Sequence, residues 1–140
     1  KHSYHLISHA ELLGMSPVEQ VIVANVARYH RGPRPKKKHR NYSGLDSGSR
    51  QVVKRLSAIL RVADGFDRGH SAAVERIEAA WGDDALTLKA RSSNRARDIQ
   101  LELWGADRKS RLLEKVAGLP VRIAGPAGAV ATSDAKTEGE

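Results

Sequence analysis

ILRVADGFDRGHS, Ile59 to Ser71, is the stretch on which the reading of this chain turns. Leading into it, Val52, Val53, Leu56, Ile59, Leu60 and Ala63 recur at three- and four-residue steps, the period of a helix with one apolar face. Two carboxylates, Asp64 and Asp67, then arrive where that pattern ends, with Arg68 and His70 behind them. At about 100° per residue, Asp67 projects into the apolar arc and Asp64 to its edge. Carboxylates are seldom set against a core without compensation. The compensating group is either Arg68, one turn after Asp64, or a metal ion. Asp64 and Arg68 at i and i+4 also read as an ordinary helix-end ion pair, worth about 0.2–0.5 kcal/mol. Spacing alone leaves these readings open.

The chain has 140 residues, enough for one domain or one domain with a small partner. It contains no cysteine, so any metal must be held by His, Asp or Glu, and a reducing, cytoplasmic setting is expected. No apolar run approaches the roughly 18–20 residues that span a bilayer, and the start carries no secretory signal pattern. Lys1 lies one step before what reads as a helix, which leads us to expect a preceding portion. The formal charge of +8 favours a polyanionic partner: nucleic acid, polyphosphate, nucleotide or an acidic membrane surface. An aromatic content of 4% argues against a single-strand binder that stacks bases.

Working outward toward the N-terminus, the helix that holds Ile59 is expected to start near Ser47 or Ser49 and to run to about Phe66. Gly65 weakens its last turn, since glycine costs about 1 kcal/mol in a helix interior. Asn41 to Gly48 reads as a polar connection. Before it lies RGPRPKKKHR, in which Arg31, Arg34, Lys36, Lys37, Lys38 and Arg40 crowd around Pro33 and Pro35. Prolines and mutual repulsion exclude a helix, so an exposed, extended loop is expected there. Such a loop attracts phosphates, its lysines acting as mobile point charges. Ser16, Pro17 and Glu19 form a capping box that opens a second helix. Val18, Val21, Ile22, Asn25, Val26 and Tyr29 make its buried side, and Asn25 there needs a hydrogen-bond partner. His30 sits where that stripe ends, as a cap on the dipole or as a group pointing to the Asp64 region. The first helix is expected over about Ser3–Leu13, with Gly14 as its stop. It carries His2, His5 and His9 on one stripe.

Working outward toward the C-terminus, the period changes after Ser71. Ile77, Ala79 and Trp81 alternate with polar or small residues, as do Leu86, Leu88 and Ala90, with a hairpin turn at Gly82, Asp83 and Asp84. Arg91 to Asp98 is a basic connection. Ile99, Leu101 and Leu103 alternate again and read as a third strand. Ala106 to Ala117 reads as an amphipathic helix stopped by Gly118, and Leu119 to Ile123 as an edge strand with Pro120 at its start. The fold class expected is α+β: a helical domain over residues 1–72, a small β-β-β-α-β subdomain over 73–123, and a disordered tail over 124–140.

Three segments, KHSYHLISHAELLGMS, VARYHRGPRPKKKH and LRVADGFDRGHS, together resemble the C-terminal region of the exopolyphosphatase and guanosine pentaphosphate phosphohydrolase (Ppx/GppA) family. The resemblance implies that residues 1–72 form an HD-like helical domain. In this family such a domain follows a two-lobed phosphatase of the sugar-kinase and actin type. It further implies a site around a divalent metal, Mg or Mn, with His2, His30 and Asp64 as ligands and Arg68 and Asp67 behind them. The family's adjacent His-Asp pair is not in this sequence. By the same resemblance the reaction is hydrolysis of phosphoanhydrides in polyphosphate or pppGpp, with its catalytic residues in the missing N-terminal phosphatase domain and none here. The C-terminal region would line a substrate channel and contact a second copy in a homodimer. Arg31, Arg34, Lys36, Lys37, Lys38 and Arg40 would guide the polyanion. The alternatives are an HD-type phosphohydrolase working through its own metal, and a basic nucleic-acid-binding module, for which no motif is present.

Overall fold

The computed structural model describes residues 2–92 and 98–126. The chain divides into two compact units between Leu60 and Arg61. That division lies inside a helix, twelve residues before the expected boundary at 72/73.

In the first unit, α1 (His2–His9) is followed by α2 (Pro17–Tyr29) and a single turn, α3 (Arg40–Ser43). The first residues of α4 (Ser47–Phe66) complete it. The expected first helix stops four residues early. The amide of Gln20, on α2, donates to the carbonyls of Ile7 and Ala10, at 2.7 and 2.8 Å. These acceptors are the orphan groups of a helix end, so a side chain thirteen residues away terminates α1. The capping box at the start of α2 is formed in both directions. The hydroxyl of Ser16 accepts from Glu19 N–H, and the Glu19 carboxylate accepts from Ser16 N–H. The core of this unit is Tyr29, Tyr42 and Val53, with Ile22 and Leu45 packed against them. Asn25 is fully buried, and its amide donates to the carbonyls of Val21 and Asn41, which supplies the partner its position demanded.

Helix α4 starts where expected, under a cap the sequence reading passed over. The Asp46 carboxylate accepts from both the N–H and the hydroxyl of Ser49, each at 2.8 Å. Its buried side runs through Ser49, Val53, Ser57, Ala58, Val62 and Phe66. The stripe expected to be buried is mostly exposed: Val52 is 39% accessible, Leu56 43% and Ile59 56%. The buried side mixes Ser49, Ser57 and Ala58 with Val53, Val62 and Phe66, so side-chain bulk alone does not select it.

The second unit holds the last turns of α4, then β1 (Arg76–Trp81), β2 (Leu86–Arg91), α5 (Gln100–Arg108), α6 (Arg111–Ala117) and β3 (Val121–Ala124). The sheet order is β1-β2-β3. β1 and β2 form the expected antiparallel hairpin, with Trp81 opposite Leu86 and Gly82 N–H donating to Ala85 C=O. β3 adds parallel to β2, Leu86 opposite Val121. Leu86, Leu88 and Ala90 point inward from the central strand, while β1 is largely exposed. Helices and a small mixed sheet make an α+β fold.

The expected third strand is instead helix α5. Ile99, Leu101 and Leu103 do alternate, but the buried set is Ile99, Glu102, Leu103 and Ala106, a helical period, and Leu101 is exposed. The two patterns share Ile99 and Leu103, four residues apart, which is one helical turn as well as two strand repeats. The helix expected over Ala106–Ala117 is broken at Lys109 and Ser110 into α5 and α6. Gly118, at φ +71°, ends α6 in the left-handed region. The tail expected from residue 124 begins on the last residue of β3, and residues 127–140 lie outside the described residues, as do 93–97 of the basic connection. Among the described residues no helix is long and apolar enough to cross a membrane.

Candidate anion site and the Asp64 region

The basic loop is held more firmly than an extended segment would be. Gly32 takes φ +70°, a turn that suits glycine, and Pro35 is buried. Lys36, Lys37, Lys38 and His39 then close a turn in which His39 N–H donates to Lys36 C=O at 2.9 Å. His39 returns the contact through its side chain: Nδ1 accepts from Lys36 N–H at 3.3 Å. The same nitrogen lies 2.9 Å from the Tyr29 hydroxyl. Tyr29 is fully buried and meets Tyr42 edge-on at 6.1 Å, while the Arg28 guanidinium lies 5.4 Å from its ring centre. The turn is thus pinned to the core of the first unit through one imidazole. Lys36, Lys37 and Lys38 are exposed, and among the described residues no ion pair engages them. Arg31 and Arg40 are exposed and Arg34 half-buried.

The electrostatics of this turn favour a neutral His39. Its pKa is pushed below the ordinary 6.5, first by burial and then by the positive charges of Arg28, Lys38 and Lys36. Burial likewise raises the Tyr29 phenol, which stays protonated. The sign for stability follows. On acidification the unfolded chain takes up the proton first, so the stabilising contribution of His39 is complete above about pH 6.5 and drains as pH falls through its folded value. The melting temperature should therefore drop between about pH 7.5 and about pH 5.5, and the drop should be shallower in His39→Asn. Equal slopes for the two proteins would contradict this. The carboxylates held low by hydrogen bonds, Asp46 and Glu19, act at more acidic pH and do not confuse the window.

The residues around the opening stretch are arranged differently. Asp64 is 15% exposed, and its carboxylate is engaged by the ammonium of Lys109, which is 22% exposed. Lys109 follows α5 and is 45 residues away in sequence, so no local spacing signals it. Arg68 meets Trp104: its guanidinium lies 5.7 Å from the indole centre, with Arg108 at 4.8 Å. Asp67 does not enter an apolar arc. Its N–H still donates to Ala63 C=O at 3.2 Å, so it keeps the phase of Leu56, Ile59 and Leu60, and that stripe is exposed; Asp67 is therefore exposed too, 3.3 Å from His70 Nδ1, beside a mostly apolar recess lined by Ala63, Phe66, Val74 and Ile77.

His2 is exposed on α1, and His30 caps α2 with Nδ1 against the Ala27 carbonyl. Both belong to the first unit and Asp64 to the second. Among the described residues no three His, Asp or Glu side chains gather as a metal set. A cation at Asp64 would also have to displace the Lys109 ammonium.

Comparison with known proteins agrees with the sequence resemblance. The family model for Ppx/GppA phosphatase, domain III, matches residues 1–110, all of the first unit and the second as far as α5. A search of curated proteins finds no match.

Proposed function

Because the chain belongs to the Ppx/GppA phosphatase family through its domain III, we propose that it is the C-terminal part of an exopolyphosphatase-like hydrolase of phosphoanhydrides and that its own task is to bind the polyanionic substrate. Polyphosphate or pppGpp is that substrate, and hydrolysis belongs to a phosphatase domain outside this sequence. A homodimer is the expected assembly.

One observation supports the binding role: three consecutive lysines, exposed and with no ion pair among the described residues, stand on a turn anchored at both ends. Like charges on three adjacent residues raise the local potential and draw in a multivalent anion. Anchoring matters because a turn already in shape loses little conformational freedom when the anion arrives. Their mutual repulsion would favour a more extended segment; the His39 and Pro35 contacts oppose that.

The test is the triple variant Lys36→Ala, Lys37→Ala, Lys38→Ala in the full-length protein. Polyphosphate affinity should fall about tenfold at roughly 0.1 M salt, and its salt dependence should become shallower. Unchanged affinity overturns the binding role of the loop.

A further inference from the structure

We infer that His39 is itself a ligand-binding group of the anion loop, presenting its Nε2–H to a phosphate oxygen while its other nitrogen holds the turn. The inference rests on the polyanion reading above and names a neutral donor within it.

The tautomer follows from the partners. A backbone N–H can only donate, so the contact from Lys36 N–H requires a lone pair on His39 Nδ1. In that tautomer the Tyr29 hydroxyl, at 2.9 Å, is the nearer of two donors sharing the single lone pair of Nδ1, with Lys36 N–H at 3.3 Å the weaker. A neutral imidazole with Nδ1 as acceptor carries its proton on Nε2. That N–H has no hydrogen-bond partner among the described residues, and His39 as a residue is half-buried. Both anchors are on the Nδ1 edge, so the donor is on the edge turned away from them, within the run Lys36–Arg40. The charged and titratable groups facing the ring are Arg28 and Tyr29 from α2, and Lys36 and Lys38 from the turn. All the charges are positive. They disfavour a second proton on the imidazole and attract an anion to its free edge.

A mixed set of this kind does something lysines alone do not. Ammonium groups on flexible stems follow any anion, whereas a ring fixed at one nitrogen offers a donor in a set direction. The loop would then prefer tetrahedral phosphate oxygens at a defined place along the chain.

Two substitutions separate the nitrogens. His39→Asn keeps an acceptor near the Nδ1 position and removes the outward donor. His39→Gln offers an amide N–H near the Nε2 position. With inorganic tripolyphosphate as the probe and the full-length protein, His39→Asn should bind about fivefold more weakly and His39→Gln within about twofold of the parent. Nitrogen NMR of the parent should show Nδ1 unprotonated, and the Nε2 signal should shift as tripolyphosphate is added. Full affinity in His39→Asn, equal losses in both variants, or a proton on Nδ1 would each overturn the donor role. If the triple lysine variant still loses affinity in those cases, the loop reading survives without His39; if it too binds normally, both readings fall.

Discussion

Gly65→Ala lowers the stability of the second unit by about 2 kcal/mol, although alanine is the better helix former. A Cβ at Gly65 would stand 2.5 Å from the Gly105 carbonyl oxygen and 2.7 Å from the backbone N and Cα of Ala106. These are backbone atoms of α5 and cannot rotate aside. The two helices touch through glycines, since a Cβ at Gly105 would in turn meet the Gly65 oxygen at 2.5 Å. Alanine's helix propensity contributes about 1 kcal/mol in favour, against an overpacking cost of about 1–3 kcal/mol that fixed backbone pushes to the upper end or beyond. Urea unfolding of Gly65→Ala and Gly105→Ala should show both midpoints lowered. A midpoint that rises in either variant would mean that α4 and α5 do not pack backbone to backbone.

Lys109→Met should cost about 2 kcal/mol, the second large effect. It removes the ammonium from a carboxylate that is mostly out of water. Stranding one member of a fully buried pair costs about 3–5 kcal/mol, and the remaining exposure of both groups, together with the other interactions of Asp64, reduces that figure. The informative comparison is the double variant Asp64→Asn, Lys109→Met. With the charge gone from both sides it should recover about 1 kcal/mol relative to the sum of the single changes. Strict additivity would show that the pair contributes nothing as a pair and that Asp64 is held by its other surroundings. The result bears on function too. If Asp64 exists to balance Lys109, its place in an aspartate-bearing motif is structural in this chain.

How much of this was legible in the sequence depends on the range of each interaction. The capping box at Ser16, the Gly82 turn and the stop at Gly118 are local, and each was read where it lies. The phase of α4 is not legible, because hydrophobic period assigns the bulkiest stripe to the core, whereas here Ser57 and Ala58 lie inside and Leu56 and Ile59 outside. Ile99 to Leu103 is ambiguous between strand and helix because a spacing of four serves both periods. In the candidate site, the lysine run was visible as charge, but His39 drew no attention there. Its role depends on Tyr29, ten residues back, and on a reciprocal turn that composition does not express.

The residues alone determined the α+β class, the family, the position of the long helix and the excess of positive charge, because all of these are carried by short-range pattern or by counting. Tertiary structure alone decided which face of that helix is buried, that Lys109, 45 residues away, answers Asp64, and that one imidazole holds the lysine turn. Each of those joins groups well separated along the chain or depends on how closely two backbones approach. Close approach is set by the volume left empty between side chains, and a linear order of residues does not specify that volume until the chain has folded.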